Sequence, residues 1–162
     1  MDKLARFRQA QGASDGGYPA ALSELRAGRK TGHWIWYVFP QLAGLGQCST
    51  AVYYGLAGVE EAAAYLRDPV LGERLIAAAA AVRGHLSGAE GPPVRLAGLM
   101  GSDIDARKLV SSMTLFGHVA KTLYAAEPRP DFAAMAAHAD AILTAATTQG
   151  YARCAYTELH LR

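Results

Sequence analysis

Asp105, Lys108 and Ser112 stand three and four places apart in one segment, a spacing that stacks side chains on one face of an α-helix. Projected at about 100° per residue, residues 103–124 place Leu109, Met113, Phe116, Val119, Ala120 and Leu123 on that same face, with Ile104 and Leu115 at its edge. Asp103, Arg107, Ser111, Thr114, His118 and Lys121 fall opposite. Three polar groups therefore turn toward the apolar side. An unpaired buried charge costs several kcal/mol, so these groups need partners. Asp105 and Lys108 can pair with each other along a half-buried seam, or Lys108 and Ser112 can line a polar pocket in which the ammonium meets an anion and the hydroxyl hydrogen-bonds.

A second concentration of chemistry is the segment HWIWYVFPQ, where His33, Trp34, Trp36, Tyr37 and Phe39 precede Pro40 and Gln41. So much ring area must be largely buried, and core packing is its default use. Trp34 and Trp36 are two residues apart and cannot both enter the core of one helix, so one ring is free to line a cleft as a stacking face for a flat ligand. His33 beside them could act as a base or donor, or be a satisfied structural histidine. Gln41 adds an amide.

Other candidates point to structure. GLGQCS from Gly44 lacks the preceding strand of a dinucleotide fingerprint and reads as a turn, and no GxxxxGK[ST] loop is present. Arg26, Arg29 and Lys30 lie at a helix end, where cations oppose the negative pole of the dipole, so they read as capping rather than as a phosphate site. His33, His85, His118, His138 and His160 show neither HxxxH nor HExxH spacing, so no metal is expected. Cys48 and Cys154 stand alone, which excludes a CxxC site, and Ser111 and Ser112 have no triad order around them.

The elements that must hold these residues are helices. Alanine is about a fifth of the chain, apolar positions recur every three or four places, and strict alternation is nearly absent. The pattern predicts an all-α bundle of about six to eight helices in a single domain, residues 1–162: helices over 2–11, 19–27, 59–67, 69–86, 103–125 and 132–147, and one turn near 94–99. Residues 33–41 are expected as a short helix, because their strand-like composition has no partner strand to pair with. The GAEGPPV stretch is expected as a loop, and residues 151–162 as a segment docked in some unassigned way. The composition, 162 residues with 51% hydrophobic, 19% charged and a net charge of +2, excludes a disordered chain and a dedicated nucleic-acid binder. The longest apolar stretch, 75–82, is far short of the roughly 20 residues that cross a bilayer, so a cytoplasmic protein with no membrane or nucleic-acid partner is expected.

FRQAQ, YPAALSELRAGRKTGHWIWYVFPQLAGLG, EEAAAYLRDPVLGERL and DARKLVSSMTLFGHV together resemble the bacterial and fungal family called domain of unknown function 1810. The likeness spans about residues 7–119. Its first motif carries His33, Trp34, Trp36, Phe39, Pro40 and Gln41, and its second Lys108, Leu109, Ser111, Ser112, Met113, Thr114 and Phe116. It departs from the family at QCSTAVYYGLAG, where a more polar, basic version is usual, and after Tyr124. The resemblance implies a small all-helical cytoplasmic protein and transfers no reaction. The calpastatin label sometimes attached to such chains does not suit a globular composition.

These residues support two expectations. One is a pocket where the aromatic segment meets the 103–125 helix, taking a small anionic ligand of nucleotide-like or ADP-ribose-like chemistry. Lys108 would supply charge, Trp34 or Trp36 a ring face, Gln41 and Ser112 hydrogen bonds, and His33 or Asp105 proton transfer; hydrolysis without a metal or cofactor is the mildest reaction such groups could support. The other is a non-enzymatic interaction module, with the alanine-rich 132–147 helix packed against a second copy or another protein.

Overall fold

Helix boundaries follow the punctuation of the sequence. Pro69 opens a helix at its first turn while the Asp68 carboxylate accepts from the Val70 and Leu71 amides at 3.0 Å each, and Ser102 caps the next long helix by accepting from the Asp105 amide at 3.1 Å. Gly28 and Gly101 end helices in the left-handed conformation. The chain is described by a computed structural model over residues 2–88 and 91–161. Ala89 and Glu90 of the expected GAEGPPV loop lie outside the described residues.

Among the described residues the structure is all-α, with ten helices: α1 (Ala5–Gln11), α2 (Tyr18–Ala27), α3 (Ile35–Val38), α4 (Ser49–Tyr54), α5 (Val59–Arg67), α6 (Pro69–Leu86), α7 (Leu96–Met100), α8 (Asp103–Ala126), α9 (Pro130–Thr148) and α10 (Ala155–His160). The count exceeds the expected six to eight because α1, α3, α4, α7 and α10 are one or two turns each, too short to show a periodic pattern. The ring-rich segment folds as the short helix α3, and the unassigned tail is α10. The latter docks through Thr157, which is fully buried, and through the Tyr156 hydroxyl, which donates to the Ala43 carbonyl at 2.9 Å. No described helix is long and apolar enough to cross a membrane.

α8 is the axis of the molecule. It packs against α9, α5, α7, α10 and α3, and every residue from Leu109 to Gly117 is buried. This corrects the two-faced projection, in which Ser111 and Thr114 lay on a polar side. Neighbours surround the helix, so both residues are largely removed from water; each hydroxyl returns its proton to its own helix, Ser111 to the Arg107 carbonyl at 3.0 Å and Thr114 to that of Val110 at 2.8 Å. Ile104, expected at the edge of the apolar face, is largely exposed, because the first turn of α8 projects beyond the packing. The buried side of α9, which includes Ala139 and Ala146, faces α8 and α6 of the same chain, while Ala133 and Ala137 are exposed.

The stretch between α2 and α3 lies against the end of α7. The Lys30 amide donates to the Leu99 carbonyl at 2.7 Å, and a Cβ on Gly101, at φ +84°, would stand 2.8 Å from the Lys30 carbonyl oxygen. Only glycine suits both the conformation and the approach. Gly101→Ala should therefore destabilise the protein by about 1–3 kcal/mol in denaturant titration; an unchanged midpoint would show that this contact does not fix the loop.

Candidate functional site

The loop from Gly28 to Trp34 and the first turns of α8 bring three charged side chains together. Lys30, only 5% exposed, places Nζ 2.7 Å from Asp105 Oδ2, and Lys108, 22% exposed, reaches the other oxygen, Oδ1, at 3.8 Å. The Lys30 ammonium also donates to the Gly32 carbonyl and lies 5.0 Å from the centre of the Trp34 ring. Lys108 sits 4.7 Å over the Trp36 ring. One carboxylate thus serves two ammonium groups, leaving one unit of positive charge at Lys108 that the face of an indole stabilises in part.

The loop is held by Glu24 of α2. Its Oε1 accepts from the Thr31 amide at 2.6 Å, the Gly32 amide at 2.7 Å and the Trp34 indole at 3.1 Å. Burial pushes the Glu24 carboxyl up, but the hydrogen bonds from Gly32, Thr31 and Trp34 together outweigh it and hold the group below its ordinary value.

An open groove of about 330 Å³ runs along these residues, with Lys30, Thr31, Gly32, His33, Trp36, Ser102, Asp105 and Lys108 among its walls. Beside Trp36 lies a second, much smaller pocket of about 10 Å³, bordered by Trp36, Gln41, Tyr54 and Lys108 together with Ile35, Phe39 and Ala51. Trp36 and Lys108 line both spaces.

The structure brings together five of the seven residues expected from sequence. His33 is exposed on the groove, Asp105 and Lys108 lie within it, Trp36 is half-buried between the two spaces, and Gln41 borders the smaller one. Two expectations are corrected. Trp34 is 0% exposed with its N–H committed to Glu24, so it offers no face to a ligand. Ser112 is also 0% exposed and lines neither space. It sits one turn beyond Lys108, where α8 is already enclosed, and its Oγ has no hydrogen-bond partner. The expected Asp105–Lys108 pair exists as a long contact, because Lys30 takes the closer position.

Lys30 and Glu24 were missed. Lys30, read as part of a capping cluster, is buried, while Arg26 and Arg29 are exposed. Glu24 looks in sequence like any carboxylate on a helix surface, and its three donors come from residues seven to ten places away. Among the described residues, no three His, Cys, Asp or Glu side chains are grouped so as to hold a metal.

The pattern of Protein of unknown function (DUF1810) matches residues 1–137. The chain belongs to the DUF1810 family. Of solved structures, the crystal structure of the conserved hypothetical protein Rv1873 from Mycobacterium tuberculosis is similar at 40% identity, over 83% of this chain and 85% of that one, with a TM-score of 0.65. No curated protein matches. Family membership thus supplies no activity, and the chemistry of the groove rests on its own residues.

Two outcomes follow from the charge arrangement. Asp105→Asn leaves Lys30 buried without a counter-ion and should cost about 2–4 kcal/mol in denaturant titration, whereas Asp103→Asn, which loses only exposed contacts to Tyr151 and Arg107, should cost clearly less; equal effects would contradict the buried pair. Because the folded Glu24 carboxyl titrates below its unfolded counterpart, the stability it adds is fully present above the usual carboxylate range and is lost as pH falls through its folded value. The stability gap between the wild type and Glu24→Gln should accordingly shrink on acidification, and a gap independent of pH would show that the carboxylate does not hold the loop.

Proposed function

We propose that this protein binds a small anionic molecule in the groove between the Gly28–Trp34 loop and the start of α8. The observation that carries this reading is the Lys108 ammonium, partly exposed in the groove, 4.7 Å over Trp36 and 3.8 Å from a carboxylate that Lys30 already occupies at 2.7 Å. In a partly desolvated groove such a charge attracts an anion more strongly than it would in water. The volume of about 330 Å³ is at the lower end of small-molecule sites.

The ligand's anionic group would meet Lys108, and its remaining atoms would lie along Thr31, Gly32 and His33. A nucleotide-like or ADP-ribose-like molecule is the first class to test. Trp36 would contribute through its edge and through the ammonium it holds, since Lys108 covers one ring face. Asp105, facing a lysine with each oxygen, is suited to fix the two cations, and His33, exposed and without an ion-pair or hydrogen-bond partner among the described residues, is the group free to move a proton. Metal-free hydrolysis, with His33 activating water, is the reaction this set would support.

Binding without catalysis, to a second copy or another protein, is the alternative function. α9 packs its buried side on α8 and α6, and Ala133 and Ala137 stay exposed on its outer face, the surface that alternative would use.

Calorimetric titration with nucleotides, sugar phosphates and nucleoside-diphosphate sugars should find a ligand whose affinity falls by about tenfold or more, about 1.4 kcal/mol, in Lys108→Ala. Absence of binding across the panel, or the same affinity in the variant, would overturn the reading.

A further inference from the structure

Arg107 and Lys108 leave α8 on different sides, and the side of Arg107 has a hollow of its own. About 370 Å³ of space lies between α8 and the segment that joins α9 to α10, walled by Arg107, Val110, Ser111, Tyr151, Arg153 and Cys154 among others, and no carboxylate is one of its walls. Several donors at this hollow are unused. Arg107 gives only Nε to Asp103, at 2.9 Å, so both terminal nitrogens of its guanidinium have no partner among the described residues. Arg153 is exposed and has neither an ion pair nor a hydrogen bond among them. The successive backbone amides of Ala152 and Arg153 likewise have no protein acceptor. The hydroxyls, by contrast, are occupied: Tyr151 donates to Asp103 at 2.6 Å and Ser111 to the Arg107 carbonyl at 3.0 Å.

The charge around the hollow is positive. The hydrogen bond to Asp103 pushes the Tyr151 hydroxyl up, while the charges of Arg107 and Arg95 pull the other way, which places Arg95 near the same rim. Three arginines against the one aspartate leave a surplus of two positive charges.

We propose that this hollow binds a small molecule through a phosphate monoester group. A guanidinium presents its N–H donors in a planar fork that matches two phosphate oxygens, which a lysine cannot do. The charge of such a group near neutral pH, about −1.5 to −2, answers the surplus, whereas a single carboxylate would leave half of it unmet. Two successive backbone amides without acceptors add donors of the kind that anions use. The volume is near the lower end of small-molecule sites, and Val110 and the Tyr151 ring offer apolar wall to the rest of the ligand. The two forks need not meet in the free protein. Arg153 breaks no bond in turning inward, and Arg107 can offer its terminal nitrogens while Nε stays on Asp103. The cost is rotamer freedom, which keeps the affinity modest.

This site does not rest on the groove. Lys108 does not line the hollow, and neither Arg107 nor Arg153 lines the groove. A phosphate compound held here loses affinity in Arg153→Ala and keeps it in Lys108→Ala, the reverse of what the groove predicts, so the two readings fail separately.

Nitrogen-15 NMR of the whole protein titrated with phenyl phosphate, at ionic strength held constant with sodium chloride, reads the Ala152 and Arg153 amides directly. Both should shift saturably in the wild type and, at the same affinity, in Lys108→Ala. In Arg153→Ala, a variant that removes no contact of the folded protein, the affinity read at Ala152 should fall by about tenfold or more, and Arg107→Ala should weaken binding as well. Absence of saturable shifts at both amides in the wild type, an affinity unchanged in Arg153→Ala, or loss of binding in Lys108→Ala would each overturn the proposal.

Discussion

One carboxylate facing two ammonium groups organises the groove between the Gly28–Trp34 loop and the start of α8. Asp105 accepts Lys30 at 2.7 Å and leaves Lys108 at 3.8 Å, so the charge balance of the cluster is positive by one. A lysine as buried as Lys30 is tolerated only with a close counter-ion. That requirement fixes the position of the loop bearing it against the first turn of α8, and with it the distance between Lys108 and Trp36. The groove and the smaller cavity are consequences of this placement.

The loop has no regular structure to hold it, and its rigidity comes from three attachments: the Glu24 carboxylate on two amides and one indole, the Lys30 amide on the Leu99 carbonyl, and the close approach of Gly101. The first two satisfy backbone amides that would otherwise need water. The two tryptophans divide the work. Trp34 is a buried anchor and Trp36 a half-buried wall, so two similar residues two places apart do different jobs because a helix turns them to different sides.

The long helices were legible in the sequence because proline, glycine and capping residues mark their ends: residues 59–67 and 69–86 were expected where α5 and α6 occur. α10 was not legible, since six residues are too few for a periodic pattern and its docking relies on Ala43, over a hundred residues away. The inward position of Asp105 and Lys108 was readable from helical phase. Ser111 and Thr114 were misplaced by the same projection, which assumes a solvent face that α8 lacks in its middle. Lys30 escaped notice because its partner lies 75 positions on, and nothing local distinguishes a lysine that will be buried from one that caps a helix. The ring-rich segment allowed one tryptophan to line a cleft, beside core packing as the default, without showing which.

Membership of DUF1810 and the likeness to the mycobacterial structure place this arrangement on a shared helical framework, and the account turns on whether the Lys108 side chain rests on the Trp36 ring in solution. Proton NMR of the protein carrying carbon-13-labelled lysine reads this directly, because protons held over an aromatic face are shielded. The Lys108 ε-protons should resonate upfield of every exposed lysine and return to the ordinary position in Trp36→Leu. Finding them at the position of a free lysine in the wild type would contradict the account.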